Sequence, residues 1–345
     1  MNSPKIAFLS QCLILFFGCC LIFFTSATVS VDAKIVFRVD DDIFVMNDDG
    51  TGRRRLTQNT TTKDSYPRWS PDGRKIAFHR YMDKEKIQTS SELFIMNADG
   101  THPQRLTHNN VADANPSWSP DDQHIAFTSL RGGKLDVFVI EVASRTVTQL
   151  TGIEDAKEQS AAPDWSPDGR QITFERFIPT AGINPKTIYV MSADGQHQRP
   201  VLLDPPIGDA PIMRFFPRWS ADGQRVLFSE VRWLKKGDAK DLIVQRIGGG
   251  KQRITDINDR LGNNWMIAGA CWMENDRAVL FSLMLKDKAN PNYNLYRYTF
   301  ETRGLKRLTR DSSDEKWPDW TEGALSVSPH GKLSTQWGEI KERTK

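Results

Sequence analysis

Apolar residues in this chain occur in short runs, and residues that favour tight turns separate each run from the next. In residues 67–78 the order is Pro-Arg-Trp-Ser-Pro-Asp-Gly-Arg-Lys-Ile-Ala-Phe, so Asp72 and Gly73 lie between two strand-forming segments. Pro fixes φ at the first corner of a turn, Asp bonds to its own backbone, and Gly adopts positive φ without steric cost. The pattern therefore predicts a β-hairpin over residues 67–78.

This hairpin pattern recurs five more times, about every 50 residues. The copies at 116–127, 163–174 and 217–228 keep the pattern closely, whereas those at 270–281 and 318–327 are degenerate. Each copy carries one tryptophan, which we expect to pack between repeats and not to bind a ligand. The six repeat tryptophans are Trp69, Trp118, Trp165, Trp219, Trp272 and Trp320. A period of this length indicates a repeat array, a solenoid or a propeller.

A second hairpin lies between successive copies of the first. In residues 93–107, Asp99-Gly100 joins two further apolar strands, and residues 43–57, 137–151, 188–203, 242–255 and 295–309 are similar. Four short antiparallel strands per period are typical of a propeller blade. The strands are apolar on both faces, as blades packed face to face require. We therefore predict an all-β, six-bladed β-propeller with four antiparallel strands per blade.

The two ends of the repeat region complement each other. Residues 34–57 supply three strands of a blade, and the segment that carries Trp320 supplies the fourth. We expect the ring to close when the N-terminal strands join the C-terminal strand, because closure removes exposed strand edges. Residues 324–327 would either add an extra strand or pack beneath the blade.

The repeat motifs resemble those of a known family. Trp-Ser-Pro-Asp-Gly followed by Ile-Ala-Phe, then Leu-Phe-Ile-Met-Asn-Ala-Asp-Gly and then Arg-Leu-Thr, is similar to the WD40-like (PD40) repeat of TolB-type β-propellers. The resemblance covers residues 34–327. It implies a non-catalytic periplasmic propeller of the cell envelope that mediates protein–protein interaction, with a protein partner such as an envelope lipoprotein.

The first 30 residues indicate export. Lys5 precedes an apolar run over residues 6–24, which predicts a signal peptide or an uncleaved N-terminal anchor. Cys19 and Cys20 add the alternative of a lipoprotein leader. We expect a periplasmic or extracellular protein that contacts a membrane only through this segment, if the segment is retained. Residues 34–327 would form the propeller, and residues 328–345 a polar, disordered tail.

Composition excludes some functions. A formal charge of +3, from 46 basic and 43 acidic residues, argues against nucleic-acid binding. Cys271 is the one cysteine outside the leader, so no intramolecular disulfide is possible, and we expect it to pack as a small hydrophobe. We expect a monomer without cofactor or metal.

The alternative is a secreted propeller enzyme, a polysaccharide lyase or hydrolase-like protein, with a site assembled from loops of several blades. The chain contains no G-x-S-x-G or H-E-x-x-H motif. Histidine ligands from separate loops would show no local spacing, so this alternative stays open. Its candidate residues are His79, His102, His108, His124 and His197.

The connections between strands predict which side of the propeller binds a partner. Strands alternate in direction, so the turns after strands one and three of each blade lie on one side, the turn face. The loops after strands two and four lie on the other side, the loop face. The loop face has the long and varied segments, so we predict that it binds a protein partner. Candidate binding residues are basic or aromatic in one group (Arg80, Tyr81, Phe177, Arg232, Trp233) and acidic in the other (Asp64, Asp113, Asp209, Glu315).

Overall fold

The tight turns form as their residue types predict. In the turn after Trp69, Asp72 accepts hydrogen bonds from the Ser70 hydroxyl (2.7 Å) and the Arg74 N–H (3.0 Å). Gly73 has a φ of +68°, and its N–H donates to the Ser70 carbonyl at 2.8 Å. The Asp99 carboxylate accepts from the Thr101 N–H in the second type of hairpin. Both hairpins are thus fixed by local hydrogen bonds between neighbouring residues.

The computed structural model describes residues 35–83, 85, 91–152, 158–178, 185–202, 212–234, 237–262, 264–286 and 291–322, with the side chains of 233, 234 and 237–239 excepted. The chain divides into Met1–Ser30 and Val31–Lys345, and all described residues belong to the second unit. The predicted leader, residues 324–327 and the predicted tail lie outside the described residues. Within the described ranges, no helix has the length and apolarity needed to cross a membrane.

The described residues contain twenty-four strands and one short helix. The first twelve strands are β1 (Ile35–Val39), β2 (Asp42–Met46), β3 (Arg54–Arg55), β4 (Lys63–Trp69), β5 (Lys75–Tyr81), β6 (Ser91–Asn97), β7 (Gln104–Arg105), β8 (Asp113–Trp118), β9 (His124–Ser129), β10 (Asp136–Glu141), β11 (Val147–Gln149) and β12 (Gln159–Trp165). The remaining elements are β13 (Gln171–Phe177), β14 (Lys186–Ser192), β15 (Arg199–Pro200), β16 (Ile212–Trp219), β17 (Arg225–Leu234), β18 (Gly237–Arg246), β19 (Lys251–Ile254), α1 (Asp256–Leu261), β20 (Trp265–Met273), β21 (Ala278–Leu285), β22 (Tyr293–Thr299), β23 (Gly304–Arg307) and β24 (Glu315–Trp320).

The strands pair antiparallel in groups of four, which confirms the predicted repeat unit. Repeat 1 has the order β24-β1-β2-β3, and repeats 2 and 3 are β4-β5-β6-β7 and β8-β9-β10-β11. Repeat 4 (β12 to β15) and repeat 5 (β16 to β19) share one sheet through a parallel pair, Lys186 with Met213. Repeat 6 is β20-β21-β22-β23. In repeat 1, β1 from the start of the chain pairs with β24 from its end, with Ile35 opposite Trp320.

Buried apolar side chains hold neighbouring repeats together. Six clusters each join two repeats, in the order 1–2, 2–3, 3–4, 4–5, 5–6 and 6–1. Each cluster contains or contacts one repeat tryptophan; Trp69, for example, packs with Val36 and Ile43 of repeat 1. The first strands of the repeats also contact one another in this order, including β24 with β4. The count of six blades and the closure of the ring stay predictions.

One helix lies in a connector where the sequence suggested only a loop. The six-residue helix α1 has Asp256 and Asp259 in its first turn, where negative charge is favourable. Its Ile257 is fully buried in the cluster between repeats 5 and 6. Leu261 of the same helix packs against that cluster. Packing of these two side chains, more than helix propensity, accounts for the helix, because so short a helix is unstable alone.

Candidate functional site

The first strand of every repeat bulges at the same place, three residues before its tryptophan. The residue at this position has φ between +48° and +106°, and in five of the six it is not glycine. The six bulge residues are Tyr66, Asn115, Ala162, Phe216, Gly269 and Trp317. Such bulges re-aim side chains and disturb the strand register, here for example between Ser65 and Arg68.

Aromatic bulge residues meet at the centre of the molecule. Tyr66 of repeat 2 stacks on Trp317 of repeat 1, with ring centroids 4.4 Å apart and planes at 24°. Tyr66 also lies 6.3 Å from the ring of Phe216, which belongs to repeat 5. Repeats 2 and 5 are three apart in the packing order, so these rings bring the first strands of distant repeats together.

In three of the six repeats, the second strand supports the bulge of the next repeat. The N–H of Asn115 donates to Nδ1 of His79 (3.3 Å), that of Ala162 to Oγ1 of Thr128 (2.9 Å), and that of Phe216 to Oε1 of Glu175 (2.8 Å). All three acceptors directly follow a buried phenylalanine of the second strand. A bulge N–H cannot pair within its own sheet, and these side chains satisfy it.

Repeat 1 has an arginine at this supporting position. Arg38 follows Phe37, is 5% exposed, and lies with its guanidinium carbon 4.3 Å from the centre of the Trp317 ring. Its Nε has no hydrogen-bond partner, and its guanidinium forms no hydrogen bond or ion pair with the described residues. Burial lowers the pKa of Arg38, while Tyr81, Asp314 and Asp41 act in the opposite direction.

His79 lies beside this arginine and is neutral. Its ring is 5.5 Å from that of Tyr66 and is met edge-on by Tyr81 at 4.9 Å. Burial, together with the charge of Arg38, lowers the pKa of His79 to about 3. Its Nε2 is buried without a partner. The loop-face end of the centre therefore combines aromatic rings, a neutral imidazole and one unpaired cation.

The opposite end of the centre opens on the turn face as a pocket of about 340 Å³. The six repeat tryptophans line it, together with the residues that precede five of them: Arg68, Ser117, Asp164, Arg218 and Asp319. Asp319 accepts a hydrogen bond from the Trp69 N–H (2.9 Å), and Asp164 accepts one from the Trp219 N–H (2.8 Å). Each carboxylate thus binds the backbone of the following repeat.

Two arginines neutralise these buried carboxylates. Arg68 lies 3.4 Å from Asp319, Arg218 lies 3.3 Å from Asp164, and Arg218 also pairs with Asp319. Burial raises the pKa of both aspartates, and the charge of Asp319 adds to the effect at Asp164. Burial also raises the pKa of the neighbouring Cys271 thiol, which is therefore not a thiolate nucleophile. The floor is a charge network that ties repeats together.

Three of the acidic residues predicted to line the loop face are buried and paired. Asp64, Asp113 and Glu315 are fully buried at the starts of β4, β8 and β24. Asp64 receives two hydrogen bonds from Arg80, at 2.6 and 2.9 Å. Asp113 pairs with Arg131 (2.7 Å) and Glu315 with Arg53 (2.9 Å). The negative charges of these three candidate binding residues are therefore neutralised inside repeats 2, 3 and 1; Asp209 lies outside the described residues.

The predicted basic and aromatic residues are spread over three repeats. Arg80 lies over the rings of Phe78 and Phe94, and Arg232 pairs with Asp241 at 2.9 Å. Tyr81 and Phe177 are half-buried in repeats 2 and 4. Trp233 pairs with Asp238 near the end of the β17–β18 hairpin. These residues belong to the second strands of three different repeats, β5, β13 and β17.

Comparison with known proteins identifies the fold. A family model described as the TolB β-propeller domain, PD40, matches residues 33–178. The Tol-Pal system protein TolB of Francisella tularensis subsp. mediasiatica is 35% identical over 80 residues, which are 23% of this chain and 17% of that protein. The crystal structure of TolB from Acinetobacter baumannii has a TM-score of 0.65 at 16% identity, over 84% of this chain and 66% of that one. The chain is a TolB-like β-propeller with PD40 repeats.

The similarity does not extend to an activity. The matched segment of the TolB-like propeller spans 17% of the length of the Francisella protein. An oligogalacturonate lyase from Vibrio parahaemolyticus has a TM-score of 0.51 at 10% identity, over 80% of this chain and 74% of that one, and this likeness shows the fold alone. Among the described residues, no group of three or more His, Cys, Asp or Glu side chains is placed to hold a metal ion.

Sequence reasoning missed the central residues of the TolB-like propeller. Tyr66, Phe216 and Trp317 gave no signal, because aromatic residues rarely adopt positive φ. Arg38 did carry one: it interrupts the apolar run Ile35-Val36-Phe37-Arg38-Val39 at a place where the other repeats have uncharged residues or a glutamate. A charge inside a fully buried strand is a signal for function or for a buried ion pair.

Proposed function

We propose that this TolB-like propeller is a non-catalytic, exported binding protein whose loop face docks a polypeptide partner. The Francisella relative is named as a protein of the Tol-Pal system, so a protein of the cell envelope is the first candidate for that partner. Export to the periplasm is part of the same proposal, since the leader over residues 1–30 is the feature that would direct it.

The observation that carries the proposal is the length of the β17–β18 hairpin. Its ladder has ten residue pairs, from Arg225 with Arg246 to Leu234 with Gly237. The equivalent β5–β6 ladder has seven, and it ends where Tyr81 pairs with Ser91. Three additional pairs at 3.3 Å per residue extend this hairpin about 10 Å further on the loop face. Trp233 belongs to the extension, where an aromatic residue can serve as an interface anchor.

The exposed apolar side chains support the same face. Among the described residues, the exposed large hydrophobic side chains are Met82 and Met266, each with 39% of its surface accessible to solvent. Met82 follows the end of β5 and Met266 lies at the start of β20, so both are on the loop face. Methionine adapts to irregular partner surfaces because its side chain is unbranched and flexible.

Replacing the loop-face aromatics tests the proposal. The chain without its leader would be used to isolate an envelope partner, and the affinity of the purified partner would be measured by biolayer interferometry. We expect the Trp233→Ala/Tyr81→Ala double variant to bind at least about tenfold more weakly. It should remain folded, with a modest loss of thermal stability because Tyr81 is half-buried and packs against His79. Arg232 is left in place, because removing it would leave the buried Asp241 and Glu230 with less neutralising charge.

A matched control uses the opposite face. Arg74 and Arg170 are exposed in equivalent turns of repeats 2 and 4, on the turn face. Arg74→Ala/Arg170→Ala should bind the partner like the unmodified chain. Unchanged affinity in the loop-face variant, combined with a loss in this control, would overturn the proposal and assign binding to the turn-face pocket.

A further inference from the structure

We propose that Arg38 is a carboxylate-binding residue at the centre of the loop face, and that it receives a single acidic group of a polypeptide partner. This inference rests on the proposed function, because it names the chemistry that the docked partner presents. Arg38 is the second-last residue of β1, whose end lies on the loop face. The site consists of Arg38 with the aromatic residues Trp317, Tyr66 and Tyr81.

The first argument is that Arg38 differs from the other buried arginines of the protein. Arg214 is 5% exposed and pairs with Glu230 at 2.9 Å. Arg80 and Arg131, which are less buried, pair with Asp64 and Asp113. Arg38 is as buried as Arg214 and has no such partner among the described residues. A buried charge is costly unless it is paired, so an unpaired one indicates a partner supplied from outside.

The second argument is the arrangement of aromatic rings around the guanidinium of Arg38. The Trp317 ring lies 4.3 Å from the guanidinium carbon, and the Tyr66 ring stacks on the same indole at 4.4 Å. A guanidinium held against an aromatic face is fixed in orientation, and its N–H groups remain available to donate hydrogen bonds to a planar carboxylate. The aromatic rings also exclude water, which strengthens a charged contact.

The third argument concerns the neighbouring charges. Lys63 lies 3.5 Å from Asp41, and Lys316 lies 2.8 Å from Asp314, so these cations and carboxylates are paired with each other. The Asp40 carboxylate accepts the Asp314 N–H at 3.4 Å. His79 is neutral and does not compete. The three cations and three carboxylates of this group balance in charge, and Arg38 is the cation that forms no direct ion pair, so its N–H groups remain available to a ligand.

The test uses small probes and the chain without its leader. N-acetyl-aspartate N-methylamide presents a side-chain carboxylate, N-acetylphenylalanine a terminal one, and the corresponding amides present neither. Binding would be followed by NMR through the indole N–H signal of Trp317, assigned by loss of that signal in Trp317→Phe. We expect at least one acid to shift this signal saturably, and its amide to bind at least tenfold more weakly. Whichever acid binds more tightly identifies a side-chain or a terminal carboxylate as the group recognised.

Variants of Arg38 decide the outcome. Arg38→Gln should weaken binding of the acid by at least tenfold, and Arg38→Lys, which keeps the charge but loses the two-pronged geometry, by several-fold. The exposed Arg74→Gln is the control and should bind normally. Arg38→Gln removes an uncompensated buried charge, so it should fold at least as stably as the parent, and a urea titration verifies this.

Three results would overturn the inference: equal binding of acid and amide, undiminished binding in Arg38→Gln, or binding of inorganic phosphate in preference to both acids. None of these touches the proposed function, which fails separately if the Trp233→Ala/Tyr81→Ala variant retains its partner. Conversely, a propeller that binds its partner through the loop-face aromatics but is indifferent to Arg38→Gln would keep the proposed function and lose this inference.

Discussion

The charge network on the floor of the turn-face pocket gives the sharpest stability prediction, at Asp319. This residue lies in β24, and its carboxylate binds the Trp69 N–H of repeat 2 at 2.9 Å. The same carboxylate pairs with Arg68 and Arg218, and the three side chains are 5%, 15% and 13% exposed. Asp319→Asn keeps the shape and one acceptor for the Trp69 N–H but removes the negative charge. Arg218 then keeps Asp164 as its partner, whereas Arg68 loses its ion pair.

Breaking a buried ion pair by removing one partner costs about 3–5 kcal/mol. We expect the lower end, about 3 kcal/mol, for two reasons. Arg218 keeps Asp164 at 3.3 Å. Burial also raises the pKa of Asp319, so desolvation already offsets part of its favourable interaction with the arginines. The free energy of unfolding would be measured at pH 7 by urea titration with tryptophan fluorescence, and the slope m should be unchanged.

Two comparisons make this prediction refutable. Glu301→Gln removes a carboxylate at an exposed position and should change stability by no more than about 0.5 kcal/mol. A double-mutant cycle of Asp319→Asn with Arg68→Gln should give a coupling of about 1–3 kcal/mol, because the two groups are in contact. A loss below about 1 kcal/mol in Asp319→Asn, with no coupling, would show that the floor charges are solvated and do not join the repeats.

Two further predictions concern pH and the chain ends. Burial and the nearby charge of Asp72 raise the pKa of Asp122 to about 6. Because this folded-state pKa lies above the unfolded one, the free energy of unfolding falls as pH rises from about 4 to 6. Asp122→Asn should therefore stabilise the protein at pH 7.5 but not at pH 4, which urea titrations at the two pH values would check. Deleting either residues 34–57 or residues 316–327 should yield aggregating, protease-sensitive protein, because each deletion removes one side of the β1–β24 pairing. Light scattering and limited proteolysis would measure this. A stable monomer after either deletion would contradict six-bladed closure.

The repeat unit was predictable because its signals are local. Asp72 and Gly73 fix one hairpin, Asp99 and Gly100 the other, and the tryptophan spacing sets the period. These residues act on neighbours within a few positions, so a single sequence displays them. Pairing of Ile35 with Trp320 could be inferred as well, since each end lacked the strands that the other supplied.

The site was only partly predictable because it depends on contacts between distant repeats. Alternation along a strand indicates two faces, but it does not show which side chain reaches the central axis. Tyr66 and Phe216 meet there although about 150 residues separate them. The pairing of Asp64 with Arg80 was likewise hidden, because a carboxylate near a strand end looks exposed in sequence and is fully buried in the fold.

Function in a repeat protein is best sought where otherwise equivalent positions differ. In the second strands, His79, Thr128 and Glu175 occupy one such position and accept the N–H of the next bulge. Arg38 occupies that position in repeat 1, and an arginine has no acceptor to offer. Ser229 and Ser282 occupy the position in repeats 5 and 6 and also form no such bond, so Arg38 differs from them by its charge. The fold buries this charge without an ion-pair partner among the described residues, and a buried charge is costly unless an interaction compensates. Stability and carboxylate binding should accordingly change in opposite directions in Arg38→Gln, which a purely structural arginine would not produce.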